Sequence, residues 1–333
     1  MPVQITIIGL GQIGSSIGLA LKAHSDNVYI VGHDKELLSA KAAQTAGAVD
    51  AYKINLPDSV RDAQLVVLAL PFSEVRETLE VIALDLQDSA VVFDTVLAKG
   101  TVAAWAREFV PQGRFYAGLF PAIHPDHLHE IEHGVKAARA DLFERSVTVA
   151  ALPQGTPESV FKLATDFISL LGSKPLFMDL TEADGLVGKV HILPQLAAAA
   201  LLDATLDKPG WQEARKLAGR PYASVTAGMA YNDDADSLRD AVLGDRENTI
   251  RLLNAYITSL IELRDEIEDG DRDAVGKRLN NALEGRDRWL GERLRADWTD
   301  RVGDQNLEGQ SMGDRMSQMF FGSGMNKRNK QRK

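Results

Sequence analysis

Short uninterrupted apolar runs alternate, through the first half of the chain, with longer stretches in which apolar residues recur every three to four positions. The short runs predict strands buried on both faces, and the periodic stretches predict the helices that cover them. The order is strand 3–8, helix 13–21, strand 28–31, helix 35–46, strand 65–70, helix 73–83, strand 90–93 and helix 101–109. It continues with strand 115–118, strand 147–151, helix 158–171 and strand 175–178. Strands alternating with helices of this length predict an α/β fold with a parallel, doubly wound sheet.

The pattern changes at Asp179. Beyond it only helical signals remain: 181–206, with a small-residue stripe from Ala197 to Ala200, then 239–269 and 271–297. The expected organisation is therefore a doubly wound domain over 1–179, an all-helical domain over 180–302, and a flexible basic tail over 303–333. An alanine-rich apolar helix packs closely on other helices, and a homodimer through the helical domain is expected.

A hydrophobic fraction of 45% with 25% charged residues describes an ordinary globular chain and excludes a disordered or collagenous one. The absence of cysteine excludes disulfides, thiolate metal sites and cysteine nucleophiles. The most apolar stretch, 192–202, is interrupted by Pro194 and Gln195, so no apolar run is expected to reach the roughly 18 residues of a spanning helix. No basic region precedes the first strand, and a cytoplasmic protein without a membrane segment is expected. The net charge of −10 argues against broad nucleic-acid binding, although five of the last seven residues are basic.

The chemistry begins at Gly9-Leu10-Gly11-Gln12-Ile13-Gly14, a G-x-G-x-x-G pattern that follows a strand and opens a helix. In that context it is the dinucleotide fingerprint of a Rossmann domain. Gly9 allows the tight turn, Gly11 lets the backbone approach a pyrophosphate, and Gly14 brings helix and strand together. The helix N-terminus then offers free N–H groups to the phosphates. Asp34, at the end of the second strand and 20 residues after Gly14, suits the ribose hydroxyls and repels a 2′-phosphate. NAD is expected over NADP, with His33 and Lys35 flanking the carboxylate.

At this point the chain resembles the prephenate dehydrogenase family, which includes arogenate dehydrogenases. The resemblance spans roughly residues 3–270. It rests on the glycine block, on Ala69-Leu70-Pro71, on Asp94 to Lys99, and on Ala117-Gly118-Leu119-Phe120-Pro121. It continues with Asp141-Leu142-Phe143 and with Asp184 followed by His191-Ile192-Leu193-Pro194-Gln195. It implies an NAD-dependent oxidoreductase that oxidises a ring carbinol and releases the ring carboxylate as carbon dioxide, in tyrosine biosynthesis. It also implies a dimer formed by a helical C-terminal domain, and cofactor contacts at Leu70 and Pro71.

The departures from the family pattern fall on the chemistry. Where the family has Asp-x-x-Ser-x-Lys, Asp94 and Lys99 stand but the serine position holds Leu97. Where it has Gly-Gly-His-Pro, the histidine position holds Phe120. Its Ser-His-Leu-Pro-His reads His191-Ile192-Leu193-Pro194-Gln195, and its substrate arginine has no clear counterpart near Arg220; Arg215 is a second spare cation. Three candidates for the missing base follow. His191 shares a helical face with Asp184, Gly188 and Gln195 at i, i+4, i+7 and i+11. Lys189 lies in a glycine-rich segment similar to the lysine block of β-hydroxyacid dehydrogenases. His124 leads a cluster with His127, His129 and His133; it is read either as a substrate contact by His124 or as part of an exposed polar loop, and no metal is expected. Asp184 and Gln195 are the expected substrate contacts, and Lys99 either joins them at a substrate carboxylate or supports the loop. Two other readings remain open: a dehydrogenase or reductase of another small acid working through Lys189 or His191, and a non-catalytic NAD-responsive binding protein.

Overall fold

The computed structural model describes residues 3–24, 28–130, 132–231 and 235–296. Its first part runs β1 (Val3–Ile8), α1 (Gln12–His24), β2 (Val28–His33), α2 (Leu37–Thr45), β3 (Ala51–Tyr52), α3 (Leu56–Val60), β4 (Leu65–Leu68) and α4 (Phe72–Ile82). It continues as β5 (Val91–Asp94), α5 (Lys99–Phe109), β6 (Phe115–Pro121), β7 (Val147–Ala151), α6 (Glu158–Leu170) and β8 (Lys174–Met178). The eight strands form one sheet in the order β3-β2-β1-β4-β5-β6-β7-β8.

Alternate residues of the central strands feed two cores. Ile5, Ile7, Leu65, Val67, Val91 and Phe93 pack on one side with Leu10, Ile17, Phe143 and Phe167. Ile8, Val66, Leu68 and Val92 pack on the other with Leu79, Val102 and Tyr116. Period-2 burial on both faces is what continuous apolar strands require.

The sheet is not wholly parallel. β7 runs antiparallel to β6, pairing Gly118 with Ala151, and β8 is parallel to β7. A parallel return needs a crossover, commonly a helix packed on the sheet. The connection over 122–146 is irregular apart from two 3-10 turns, Pro125–His127 and Val135–Ala137, and the chain returns alongside β6 in the opposite direction. β3 and α3 also escape the periodicity reading, because two and five residues are too few to show a period.

The helical part comprises α7 (Leu180–Val187), a π-helical turn (Gly188–Ile192), α8 (Leu193–Thr205), α9 (Trp211–Leu217), α10 (Arg220–Thr226), α11 (Ala235–Gly244), α12 (Arg246–Glu268) and α13 (Arg272–Arg295). Residues 1–285 form one compact unit holding the sheet layer and helices α1–α12. A second unit starts at Arg286 and is described to Ala296 as the end of α13. The expected tail, 303–333, lies outside the described residues.

The apolar-run expectation is corrected at Leu180–Thr205. This is one continuous 26-residue helix, long and apolar enough by length and composition to cross a membrane, with 28% of its most apolar window buried. Pro194 does not break it. The turn before the proline is already π-wound, and the N–H of Leu193 bonds to the carbonyl of Gly188 rather than to the residue four back.

Close packing of α1 on the chain leaving α2 depends on Gly18. A Cβ there would lie 2.2 Å from the carbonyl oxygen of Ala48, a backbone atom that cannot swing away. Gly18→Ala is expected to destabilise the fold by about 1–3 kcal/mol, read from urea unfolding; an unchanged midpoint would contradict this packing.

Candidate active site

β1, β4, β5 and β6 run in one direction, so the loops after them gather on one edge of the sheet, where ligands of open α/β sheets bind. Gly9 adopts φ +90° and donates its N–H to the carbonyl of His33 at 2.9 Å. A Cβ at Gly9 would sit 2.3 Å from the carbonyl oxygen of Ala69, and one at Gly14 would sit 1.9 Å from that of Gly9. A Cβ at Gly11, by contrast, would meet nothing within 4 Å. The loop is thus tight where it turns and open where a pyrophosphate would cross the first turn of α1. That geometry fits a dinucleotide, held by the backbone from Gly11 to Gly14.

Asp34 supports the loop from below. Its Oδ2 accepts from the N–H of Leu10 at 2.7 Å and its Oδ1 from the N–H of Glu36 at 2.8 Å. Each oxygen keeps lone-pair capacity for a ribose hydroxyl. A small pocket of about 70 Å³ beside it is lined by His33, Lys35, Leu37, Tyr52 and Lys53. Lys35 is engaged by Glu74, which also raises the pKa of its ammonium. Leu70 packs 3.1 Å from the Cβ position of Gly9, Pro71 precedes the first turn of α4, and the Gln12 side chain donates to the carbonyl of Ala137 at 3.3 Å. Ile13 is half-buried against the core.

Two other helix N-termini on this edge are closed by the helical region. The hydroxyl of Ser237 on α11 accepts from the N–H of Phe72 at 2.7 Å, at the start of α4. The carboxylate of Asp184 on α7 accepts from the N–H of Lys99 at 2.5 Å and of Gly100 at 2.8 Å, at the start of α5. Burial raises the pKa of Asp184 to about 6, against the lowering effect of those two N–H groups. Asn248 on α12 donates to the backbone carbonyl of Asp184 at 3.1 Å. The Asp184 carboxylate is therefore spent on the joint between α7 and α5.

Of the two roles open to Lys99, its contacts here are those of a support for the loop. Its side chain is 1% exposed. The ammonium donates to Asp94 Oδ1 at 2.5 Å and to the carbonyl of Leu119 at 2.6 Å. Asp94, wholly buried, also accepts from the Tyr116 hydroxyl at 2.6 Å and from the N–H of Val96 at 2.9 Å. Desolvation lowers the pKa of Lys99 and raises that of Tyr116 well above its ordinary value. Buried charges persist when paired and fully hydrogen-bonded, and this network ties the ends of β5 and β6 together. Leu97, at the family's serine position, packs half-buried against the apolar core.

The candidates for a base separate clearly. The imidazole of His191 lies edge-on to the ring of Phe120, centroids 4.5 Å apart and planes at 69°. It is half-buried, at the end of β6, beside the side chain that stands at the family's histidine position. Lys189, two residues earlier, is exposed. The predicted single face of Asp184, Gly188, His191 and Gln195 holds only from Asp184 to Gly188, whose N–H bonds to the carbonyl of Asp184; the π-turn then inserts a residue and carries His191 and Gln195 off it. Gly188 packs against α12, and Gln195 is buried, donating to the carbonyl of His191 at 2.8 Å. That bond turns Gln195 into support for the helix at the point where it was expected to meet substrate.

His124 is buried; its ring caps the turn that follows by accepting from the N–H of Asp126 at 3.2 Å. His127 bonds to Glu130 at 2.9 Å, Glu130 accepts from Arg139 at 3.1 Å, and the N–H of Arg139 bonds to the Ser16 hydroxyl at 3.0 Å. These residues clamp the 122–146 loop onto α1, while His129 and His133 are exposed. Among the described residues no group of three or more His, Asp or Glu side chains is arranged to hold a metal. Tyr116, Ser237 and Asn248 carry no local signal in the sequence, since their partners lie 22, 165 and 64 residues away.

The sheet, the open glycine loop and Asp34 define a dinucleotide-binding domain of the Rossmann class, followed by a helical region that closes its carboxyl edge. A profile of the prephenate dehydrogenase nucleotide-binding domain matches residues 17–176. The prephenate dehydrogenase of Lactococcus lactis subsp. cremoris is 28% identical over 297 residues, covering 84% of this chain and 77% of that protein. The cyclohexadienyl dehydrogenase of Zymomonas mobilis is 24% identical over 273 residues, covering 80% and 90%. The fold is that of the Aquifex aeolicus prephenate dehydrogenase, solved in complex with hydroxyphenyl propionate and NAD+, at a TM-score of 0.75 and 21% identity over 86% of this chain and 98% of that one. Residues 17–176 thus match the prephenate dehydrogenase nucleotide-binding domain, and the chain is similar to prephenate and cyclohexadienyl dehydrogenases over most of its length.

Asp184 makes a pH prediction. A carboxyl whose pKa rises from 3.8 to about 6 on folding binds its proton more tightly in the native state. Its contribution is most favourable below pH 4 and becomes less so as pH rises to about 6, a change of up to about 3 kcal/mol. The unfolding free energy of the native protein minus that of Asp184→Asn should therefore fall across this window and level off above it. A difference that is flat, or that rises with pH, would contradict the assignment.

Proposed function

We propose that the protein is an NAD-dependent dehydrogenase acting on prephenate or arogenate, with His191 as proton acceptor. The observation that carries this is the imidazole of His191 against Phe120 at the end of β6. It restores a base where the family's histidine position has lost one. When bound, NAD+ supplies the hydride acceptor. His191 would take the proton of the carbinol hydroxyl as hydride leaves the same carbon. Loss of the ring carboxylate as carbon dioxide would leave its electron pair to complete the aromatic ring, and the phenolate so formed would take the proton back from His191. Phe120 offers an apolar wall for that ring, and Leu97 takes no part in proton transfer. The names of the relatives, which include prephenate, cyclohexadienyl and arogenate dehydrogenases, support this substrate class.

In this reading residues 1–179 bind the nucleotide, and residues 180–302 complete the substrate cleft and form a homodimer in the cytoplasm. NAD is favoured over NADP because the Asp34 carboxylate faces the ribose and Lys35 is already paired with Glu74. Support for the dimer comes from α12. Ile250, Ile257, Leu260 and Ile267 are exposed along it, with Leu253 half-buried between them. Spacings of three, four, three and seven residues, the last passing over Arg264, make this a seam of coiled-coil type. Arg278 pairs with Glu262 and Glu266, fastening the start of α13, which adds the exposed Leu279 and Leu283. The long apolar helix Leu180–Thr205 belongs with this interface and not with a bilayer.

Absorbance at 340 nm with NAD and either prephenate or arogenate should rise in the native protein. His191→Asn should lower kcat by about 10²–10⁴-fold with NAD affinity held. Full activity in that variant would remove His191 from the chemistry. Light scattering should give twice the 36.3 kDa chain mass, and Leu260→Glu should give the single chain; a dimer that survives the substitution would place the interface elsewhere.

A further inference from the structure

The π-turn Gly188–Ile192 lies within an otherwise regular helix, and it contains His191. A π-turn is less stable than α-helix and persists where the surroundings hold it. Three features hold this one. Pro194 has no N–H, so an α-helical bond to the carbonyl of Val190 cannot form, and the winding before the proline is free to widen. Gln195 satisfies the carbonyl of His191 with its side-chain amide at 2.8 Å. On the opposite side, Gly188 fits against α12 so closely that a Cβ would sit 2.9 Å from Leu252 Cδ1 and 3.1 Å from Asn248 Nδ2.

The effect on direction is large. One residue inserted into a helix turns everything beyond it by about 100° relative to what precedes it, and His191, inside the turn, takes part of that rotation. Asp184, before the turn, must face the N-terminus of α5. With α-helical winding throughout, His191 would lie on the same face as Asp184 and Gly188. The extra residue separates these demands: Asp184 stays on α5, Gly188 stays on α12, and the imidazole is aimed at Phe120.

We propose that Gly188, Pro194 and Gln195 are positioning residues, and that the π-turn they hold aims His191 at the reacting centre. This rests on the reading of His191 as proton acceptor. Gly188, Pro194 and Gln195 act through the histidine.

Pro194→Ala tests it, since the restored N–H lets the helix rewind to α without removing any catalytic group. The His191 Hε1 resonance, assigned by its loss in His191→Asn, should be displaced by the ring current of Phe120 in the native protein. Phe120→Leu should abolish that displacement, and Pro194→Ala should reduce it. In Pro194→Ala kcat should fall by about 10²-fold, the loss expected for a misplaced catalytic group, while NAD affinity stays within twofold. Gly188→Ala should show the same loss, and Gly188→Ala with Leu252→Ala should recover part of it. An unmoved resonance or an unchanged kcat in Pro194→Ala overturns the role of the turn. Full activity in His191→Asn overturns the proton-acceptor reading instead, so the two failures are distinguishable.

Discussion

The carboxyl edge of the sheet must satisfy the N–H groups of three converging helix N-termini, and the arrangement of the site follows from how it does so. A helix begins with donors that have no partner within the helix and carries the positive end of its dipole there. Ser237 closes α4, and Asp184 closes α5. The first turn of α1 stays open beneath Gly11. An anion at this edge therefore finds an open cradle at α1 where α4 and α5 are closed. The contacts that close the other two helices also seat α7 and α11 on the nucleotide-binding layer.

From that seating the reacting region follows. With Asp184 committed to α5 and Asn248 bonded to its carbonyl, the helix from Leu180 leaves the sheet in a fixed direction. The π-turn then sets where His191 faces. On the sheet side, the buried Asp94, Lys99 and Tyr116 network holds the ends of β5 and β6, which places Phe120. In the proposed reading the proton acceptor comes from the helical side of the cleft, as the imidazole that lies against Phe120 at the end of β6.

The alternation of strands and helices up to residue 178 was legible because apolar period is a local property, and so was the glycine loop with Asp34. The orientation of β7 was not, since nothing in 122–146 announces which way the chain returns. The full course of the long helix was not legible, because an α period holds only until a residue is inserted, and the turn Gly188–Ile192 inserts one. The position of Lys99 beyond the end of β5 was legible, but not which of its two roles it takes. Its neighbours Tyr116 and Leu119 lie 17 and 20 residues away in sequence, and only their approach in space shows that the ammonium is consumed.

The most direct measurement is a crystal structure of the protein with NAD+ and hydroxyphenyl propionate. The account predicts the pyrophosphate on the N–H groups at the start of α1, the ribose on Asp34, and the phenolic oxygen within hydrogen-bond distance of a His191 ring nitrogen beside Phe120. A phenolic oxygen held instead by Lys189 or His124, with His191 turned away from it, would contradict the account.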